Sequence, residues 1–396
     1  MFSDALGKVI ISGIGQTEVG RRLGVEPLRL TADGCLRAIA DAGLTPGDID
    51  GLSTYPGSSQ PALGFSGGSV REIHDLLGIE PDWVSGGIEA PGQLGAVVNA
   101  AMAVATGLAK HVLCWRSIWE GTAQGAGGRR GYGAGAGRVG GTMSWQLPFG
   151  ATAANLAALQ IRARMQRFGL TREQLAAVPL VARSHAALNP NAVYREPFTL
   201  DDYLNARMIS TPLCLYDCDV PCDGATAFVV SRAEHATALD HAAVGVEALS
   251  CAHHDRFGWE YGQDITRISS RWSTDLWERT TLTPGDVDVA QCYDGFSIFT
   301  HCWLEDLGFC EVGEAGAFVE GGSRISLDGE LPLNTSGGQL SGGRLHGFGF
   351  LHEACVQLRG EGGDRQVAGE PEVAAVGVGA ANSGTTAMLV TRASGR

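Results

Sequence analysis

The sequence predicts an α/β protein of 396 residues made of two homologous halves. The main observation is a duplication. "LTPGDIDGLSTYPG" at 44–57 returns as "LTPGDVDVAQCYDG" at 282–295, an offset of 282 − 44 = 238 that sets Tyr55 opposite Tyr293 and Gly57 opposite Gly295. Weaker echoes follow in the same order: "LLGI" (Leu76–Ile79) with "DLGF" (Asp306–Phe309), and "SGG" at Ser85–Gly87 with "SGG" at Ser336–Gly338. Short β-branched runs alternate with helix-period segments, the pattern of a largely parallel, doubly wound sheet. Two copies are too few for a solenoid, which stacks several units.

The elements follow from local signals. Thr31 to Gly43 has apolar residues at helical spacing (Leu36, Ile39, Ala40), with Gly43 as the stop, and "IDGLSTY" then returns as a strand. Leu94–Ala109, "LGAVVNAAMAVATGLA", is too short and too rich in Ala and Asn to span a bilayer and reads as a buried core helix. "HVLCWRS" (His111–Ser117) and "VAAVGVG" (Val373–Gly379) are apolar strands in equivalent places of the two halves. Between the halves the composition shifts. Glu120–Gly141 is a glycine-rich loop of the length that usually serves function. Helical sequence follows it, with Thr171 and Glu173 opening a second helix. The expected organisation is a first half over 1–240, carrying a loop domain at about 120–210, and a second half over 241–396. In such sheets the sites lie at the carboxyl ends of strands, where Tyr55 and Tyr293 fall.

Composition excludes several classes. The formal charge is −14 and basic residues nowhere cluster beyond "GRR", which argues against nucleic acid. The N-terminus lacks the pattern of a secretory leader, no membrane span is expected, and the ten cysteines read as reduced thiols of a cytoplasmic protein. Cys214, Cys218 and Cys222 recur every four residues, but no matching Cys or His pair follows at zinc spacing, so no metal is expected.

Five segments carry a resemblance. "ISGIGQTEVG" with "AIADAGLTPGDIDGL", "SHAALNPNAVYREPFTLDDYL", "CDGATAFVV", "YDGFS" and "NTSGGQLSGGRLHGFG" resemble, in that order, the sterol-carrier-protein-X branch of the thiolase superfamily. The resemblance implies the thiolase fold: two α/β halves stacked as five αβαβα layers, with a loop domain inserted in the first. The catalytic thiolase residues do not carry over. Matching "IEAPGQLG" to the nucleophile motif puts Glu89, or Ala90 at one residue's slip, in the cysteine's place, and no Cys stands between residues 36 and 113. The histidine of the Gly-His-Pro motif falls on Arg344, and "VGVGAANSG" replaces the terminal Cys-x-Gly.

This departure is similar to the lipid-transfer-protein-type aldolases of steroid side-chain breakdown, which often carry Tyr where this chain has Arg344. That resemblance implies retro-aldol cleavage of a β-hydroxyacyl-CoA to a ketosteroid and a short acyl-CoA such as propionyl-CoA or acetyl-CoA. It implies no cofactor beyond the CoA of the substrate. It also implies a small DUF35-type partner (zinc ribbon plus OB-fold) and a homodimer core, giving α2β2. The alternatives are an acyltransferase or condensing subunit completed by a partner, and a non-catalytic acyl-CoA-binding subunit.

The reaction needs a base for the β-hydroxyl, stabilisation of the thioester enolate, and an acid for its carbon. Tyr293 is the first choice for acid/base work. Its phenol, with an ordinary pKa of about 10, needs a neighbouring cation to act as a base. Arg344 could be that cation or hold an enolate oxygen, or it could bridge to Asp294 or Glu353. His346 would carry a proton near neutrality. Gly337 and Gly338 would bring backbone N–H groups to the thioester, with Asn334 fixing the turn. Asp294 reads as an orienting carboxylate, and Glu89 as a substrate-side group or a helix cap. Asp223 shapes a turn, and His253 and His254 lie at the surface.

Overall fold

The duplicated motif folds twice into the same hydrogen-bonded unit. In the first copy Asp48 Oδ2 accepts from Thr45 N and Oγ1 at 2.8 and 2.6 Å; in the second Asp286 Oδ2 accepts from Thr283 N and Oγ1 at 2.8 and 2.7 Å. Each closes a short turn on Pro-Gly-Asp, and the chain then enters a strand: β2 (Gly51–Thr54) or β9 (Val289–Cys292). A second aspartate sets the register. Asp50 accepts from the N–H groups of Lys110 and His111, while Asp288, its counterpart 238 residues on, accepts from those of Glu372 and Val373. These bonds align β2 with β4 (His111–Trp119), and β9 with β10 (Val373–Val378), in parallel pairs.

The computed structural model describes residues 6–56, 64–86, 92–127, 150–252, 264–267, 275–380 and 385–393. Glu89, His253 and His254, for which the sequence raised roles, lie outside them. The remaining strands are β1 (Val9–Gln16), β3 (Trp83–Gly86), the short pair β5 (Met208–Ser210) and β6 (Leu213–Cys214), β7 (Asp223–Arg232), β8 (Val244–Ala252) and β11 (Thr385–Arg392). The large sheet has the order β3-β2-β4-β7-β1-β8-β11-β10-β9. Outward from the central β1–β8 pair the two sides match: β7 with β11, β4 with β10, β2 with β9. Where the first half adds β3, the second has a single parallel bridge from Ala290 to Leu333. The halves are therefore one continuous sheet, joined where Ile10 and Ile11 pair with Gly245 and Val244.

The helices are α1 (Pro27–Asp41), α2 (Val70–Leu77), α3 (Gly95–Thr106), α4 (Glu120–Gly127), α5 (Ala153–Phe168), α6 (Arg172–Leu188), α7 (Leu200–Leu204), α8 (Ser297–Asp306), α9 (Ala315–Val319) and α10 (Gly347–Arg359). α1 starts at Pro27, ahead of the expected Thr31, because Glu26 accepts from the Arg29 N–H and Pro27 presets the first turn. α3 is the buried core helix expected at Leu94–Ala109, and α10 is its nearly all-buried counterpart, packed on strands of both halves. The expected loop at Glu120 begins instead as α4, and the rest of that stretch lies beyond the described residues. Thr171 does open a helix, but its reciprocal partner is Gln174: Thr171 Oγ1 accepts from Gln174 N, and Thr171 N donates to Gln174 Oε1, both at 3.1 Å.

The inserted helices are fixed to the second half by a buried charge pair. Arg164 on α5 meets Glu305 on α8, their side chains 1% and 2% exposed, and Arg164 also donates to Thr266 O at 2.6 Å. Glu305 Oε1 accepts in addition from Ala315 N at 3.2 Å. Removing one member of a buried pair leaves an uncompensated charge. Glu305→Leu is therefore expected to lower unfolding free energy by about 3–5 kcal/mol, read from the denaturant midpoint. A loss below about 1 kcal/mol would show that the pair does not hold the insert.

Candidate active site

The site is built where β9 and β10 end and the glycine run crosses them. Tyr293 N donates to Gly377 O at 2.8 Å, so the chain leaves β9 still paired with β10. Asn334 then clamps the end of β9: its Oδ1 accepts from Cys292 N at 2.7 Å and its Nδ2 donates to Cys292 O at 2.8 Å. This clamp holds Asn334 at φ +51°, a conformation non-glycine residues rarely take. Beyond it the chain makes a wide turn at Gly338–Gly342, in which Gly342 N reaches Gly337 O at 3.3 Å.

Asp294 sits against that turn, fully buried. Its Oδ1 accepts from Gln339 N at 2.8 Å, and its Oδ2 faces Leu340 N and Asn334 Nδ2, each at 3.4 Å. Burial pushes its pKa up to about 7, against the downward pull of the turn amides. Asp294 thus ties the turn to the end of β9. A Cβ at Gly338 would lie 2.0 Å from Asp294 Oδ2, and one at Gly337 2.5 Å from Ala186 Cβ on α6, so only glycine fits at either position. Gly337 N–H bonds Asn334 O at 2.9 Å, which removes it as the expected thioester donor. On the outer side His185 Nδ1 lies 3.1 Å from Leu333 O and Asn189 Nδ2 donates to Ser336 O at 2.9 Å, so the inserted α6 braces the turn.

Arg344 leaves this turn and does not meet Asp294 or Glu353, the partners the sequence suggested. Its Nε donates to Glu120 Oε2 at 2.9 Å and its Nη1 to Asp219 Oδ1 at 3.2 Å. Glu353 is instead occupied by Arg365, Thr335 and Gln357. The triad draws on three parts of the chain: Glu120 opens α4, Asp219 precedes β7, and Arg344 follows the wide turn. Burial works against the Arg344 charge, but Asp219, Glu120 and Tyr293 more than offset it, and the guanidinium stays charged. Burial raises the Asp219 carboxyl to about 6; Arg344 pulls it down and Glu120 pushes it up.

Tyr293 is buried, stacked on Phe299 at 5.9 Å between ring centroids and edge-on to Phe350 at 6.2 Å. The side chain of Gln93, just before α3, lies close enough to act on its phenol. Arg344 lowers its pKa, as the sequence suggested, but burial and Asp219 win, and the phenol is held well above its ordinary value. Tyr293 is therefore a neutral donor, not a phenolate base. His346 is also corrected. Burial, then Arg116 and Arg344, hold its pKa well below 6.5, so the imidazole is neutral throughout the physiological range. Its backbone is strained (φ +56°, ψ −153°), its ring meets Phe65 edge-on at 4.8 Å, and neither ring nitrogen has a partner among the described residues. Gln339 Nε2 is likewise unpartnered, and both side chains line a cavity of ≈ 30 Å³, room for about two waters. Strain and unpaired buried polar atoms at one place mark a functional site.

Other readings resolve around this centre. Asp223 accepts from Leu23 N at 2.8 Å and Thr122 N at 2.9 Å, fixing a turn as expected. Tyr55 packs under the Arg116 guanidinium at 5.1 Å, while its repeat mate Tyr293 faces the site. Cys222 is buried beside Gly343, its thiol pushed up by burial, Glu120 among the further causes, and Cys218 donates to Cys214 O at 3.5 Å. Among the described residues no three His, Cys, Asp or Glu side chains gather to hold a metal, and no helix is long and apolar enough to cross a membrane. The sequence reading missed Glu120, Asp219 and Gln93. Only Gln93 carried a local signal, a polar residue entering an otherwise apolar helix.

Fold and site define a class: a thiolase-like protein whose centre holds a tyrosine, a clamped arginine and a neutral histidine, with no cysteine near the start of α3. Residues 262–392 match the thiolase C-terminal domain-like family. The chain is 36% identical over 370 residues to a steroid side-chain-cleaving aldolase of Thermomonospora curvata, covering 89% of this chain and 91% of that one. It is 35% identical over 387 residues to 17-hydroxy-3-oxo-4-pregnene-20-carboxyl-CoA lyase of Mycobacterium tuberculosis, covering 96% and 98%. The solved Ltp2-ChsH2(DUF35) aldolase superposes with a TM-score of 0.85 at 33% identity over 98% of both chains. The chain belongs to the thiolase superfamily, in the family of these side-chain-cleaving aldolases.

Asn334 supplies a direct test of the site's frame. Glycine accepts φ +51° without strain but cannot satisfy the Cys292 N–H and C=O. Asn334→Gly is therefore expected to cost ~2–3 kcal/mol in chemical denaturation, from the buried groups it leaves unpaired. A neutral result would show that the clamp does not hold the end of β9.

Proposed function

We propose that this chain is the catalytic subunit of an aldolase that cleaves a β-hydroxyacyl-CoA, a steroid side-chain thioester, to a ketosteroid and a short acyl-CoA. The observation that carries the reading is Arg344 at the thiolase histidine's place, held between Glu120 and Asp219 beside the neutral phenol of Tyr293. That set suits proton transfer and charge stabilisation, and it offers no activated thiol. Acyl transfer through a thiolase-type cysteinyl enzyme needs a thiolate, and Cys222 and Cys292, next to this centre, are both buried with raised pKa values.

The roles follow from the electrostatics. Once the β-hydroxyl loses its proton, the oxygen becomes a ketone and the Cα–Cβ pair flows into the thioester enolate. Tyr293 stays protonated at neutral pH and delivers its proton to that carbon. The fixed guanidinium of Arg344 lowers the energy of the negative charge crossing the site. His346, neutral and unpartnered, offers a donor to the thioester oxygen with the spare amide N–H of Gln339. A partner of the DUF35 type assembles with the chain, as in the solved neighbour, and we place two copies of each in the complex around a homodimer core.

The test is release of propionyl-CoA from 17-hydroxy-3-oxo-4-pregnene-20-carboxyl-CoA by the chain co-purified with its DUF35-type partner. Activity is expected to survive full alkylation with iodoacetamide, and Tyr293→Phe is expected to lower kcat by about 10²–10⁴-fold. An unchanged rate in Tyr293→Phe would remove that residue from the chemistry.

A further inference from the structure

We infer that Asp219 is the base that takes the proton from the substrate's β-hydroxyl, with Arg344 and Glu120 positioning it. The inference rests on the aldolase reading and supplies the group that reading lacks. Tyr293 is held protonated, Arg344 has no lone pair to offer, and the imidazole of His346 is weakly basic between two guanidinium charges. Where the chain leaves the wide turn Arg344 presents a cation, and a cation attracts a carboxylate.

The geometry places that carboxylate well. Asp219 Oδ1 is taken by Arg344 Nη1 at 3.2 Å, while Oδ2 accepts no hydrogen bond from the described residues. Its backbone N–H donates to Gly295 O at 3.2 Å, which ties it to the loop that carries Tyr293. The side chain is 9% exposed, so it is desolvated but not sealed off. Charged and titratable groups surround it on every side. Arg344 comes from the wide turn, Glu120 from the start of α4, Tyr293 and Asp294 from the end of β9, and Cys222 from its own loop. Glu120 is the poorer candidate for the base. Asp219, through its N–H bond to Gly295 O, is fixed to the loop that carries the acid finishing the reaction, and its charge raises the pKa of Tyr293 and of Asp294.

The step balances without a further reactant. The carboxylate of Asp219 takes the hydroxyl proton, and the C–O bond becomes C=O. The Cα–Cβ bond breaks with its electron pair entering the enolate, and Tyr293 protonates that carbon. Asp219 then gives its proton to solvent and Tyr293 regains one.

A carboxyl raised to about 6 gives kcat/KM an acid limb near that pH: activity falls below it as the base becomes protonated. The experiment uses the complex with its DUF35-type partner and two probes. One is the β-hydroxyacyl-CoA thioester; the other is propionyl-CoA in D2O, whose slow α-hydrogen exchange runs through the minor phenolate form of Tyr293 and needs only the enolate half of the site. Asp219→Asn is expected to lose about 100-fold or more in cleavage and to lose the limb, while α-hydrogen exchange persists. Asp219→Glu is expected to restore part of the rate with the limb present. Glu120→Gln removes a negative neighbour and is expected to move the limb to lower pH. An acid limb unchanged in Asp219→Asn, or exchange falling in step with cleavage, overturns the proposal while leaving the aldolase reading in place. A wild-type complex that cleaves no such thioester overturns both.

Discussion

The site depends on how closely the bare backbone at Gly337 and Gly338 is approached, by α6 on one side and by the Asp294 carboxylate on the other. A methyl group at the first would strike Ala186 on the inserted α6, and at the second the carboxylate of Asp294. Because both positions are bare, α6 can lie against one side of the turn and Asp294 against the other. The turn amides then hold Asp294, Asn334 closes on Cys292, and the chain emerges aimed so that Arg344 and His346 reach the centre. His185 and Asn189 brace the same turn from the insert. The glycines thus allow the packing that positions the side chains of the site.

Charge in a poorly hydrated place does the rest. A carboxylate, a guanidinium and a phenol that would be ordinary in water shift in the directions their neighbours dictate. Asp219 becomes a stronger base than a free aspartate, Tyr293 a more reluctant acid than a free tyrosine, and His346 stays neutral. Without the thiolase cysteine and histidine, such a centre offers groups suited to proton transfer. The triad of Glu120, Arg344 and Asp219 also crosses the molecule's architecture, so the start of the insert, the first half's chain just before β7 and the second half meet at one cation.

Much of this was legible in the sequence, and for definite reasons. The repeat showed two α/β halves because Thr45 and Asp48 make local bonds that Thr283 and Asp286 reproduce, and Asp50 and Asp288 each pin the neighbouring strand in the same way. Tyr293 could be found because the repeat put it at the end of a strand. The glycine run announced a close approach. Partners distant along the chain could not be read. Glu120 and Asp219 lie 224 and 125 residues from Arg344, and nothing local in either segment signals the pairing. The protonation states of Tyr293 and His346 were misjudged for the same reason, since burial decides them and sequence spacing does not report it. The seam at β1 and β8 was equally hidden, because it involves only two residue pairs between strands far apart in the chain.

The central claim is that this thiolase-like centre breaks a carbon–carbon bond by proton transfer, without an acyl-enzyme. Free coenzyme A separates the two chemistries, because thiolysis consumes it and a retro-aldol reaction does not. The direct measurement is steady-state cleavage of the β-hydroxyacyl-CoA by the complex after all free coenzyme A has been removed. Sustained turnover, releasing one short acyl-CoA for each ketone, is the predicted result. Turnover that starts only when coenzyme A is added, one equivalent being consumed for each product, would contradict the account.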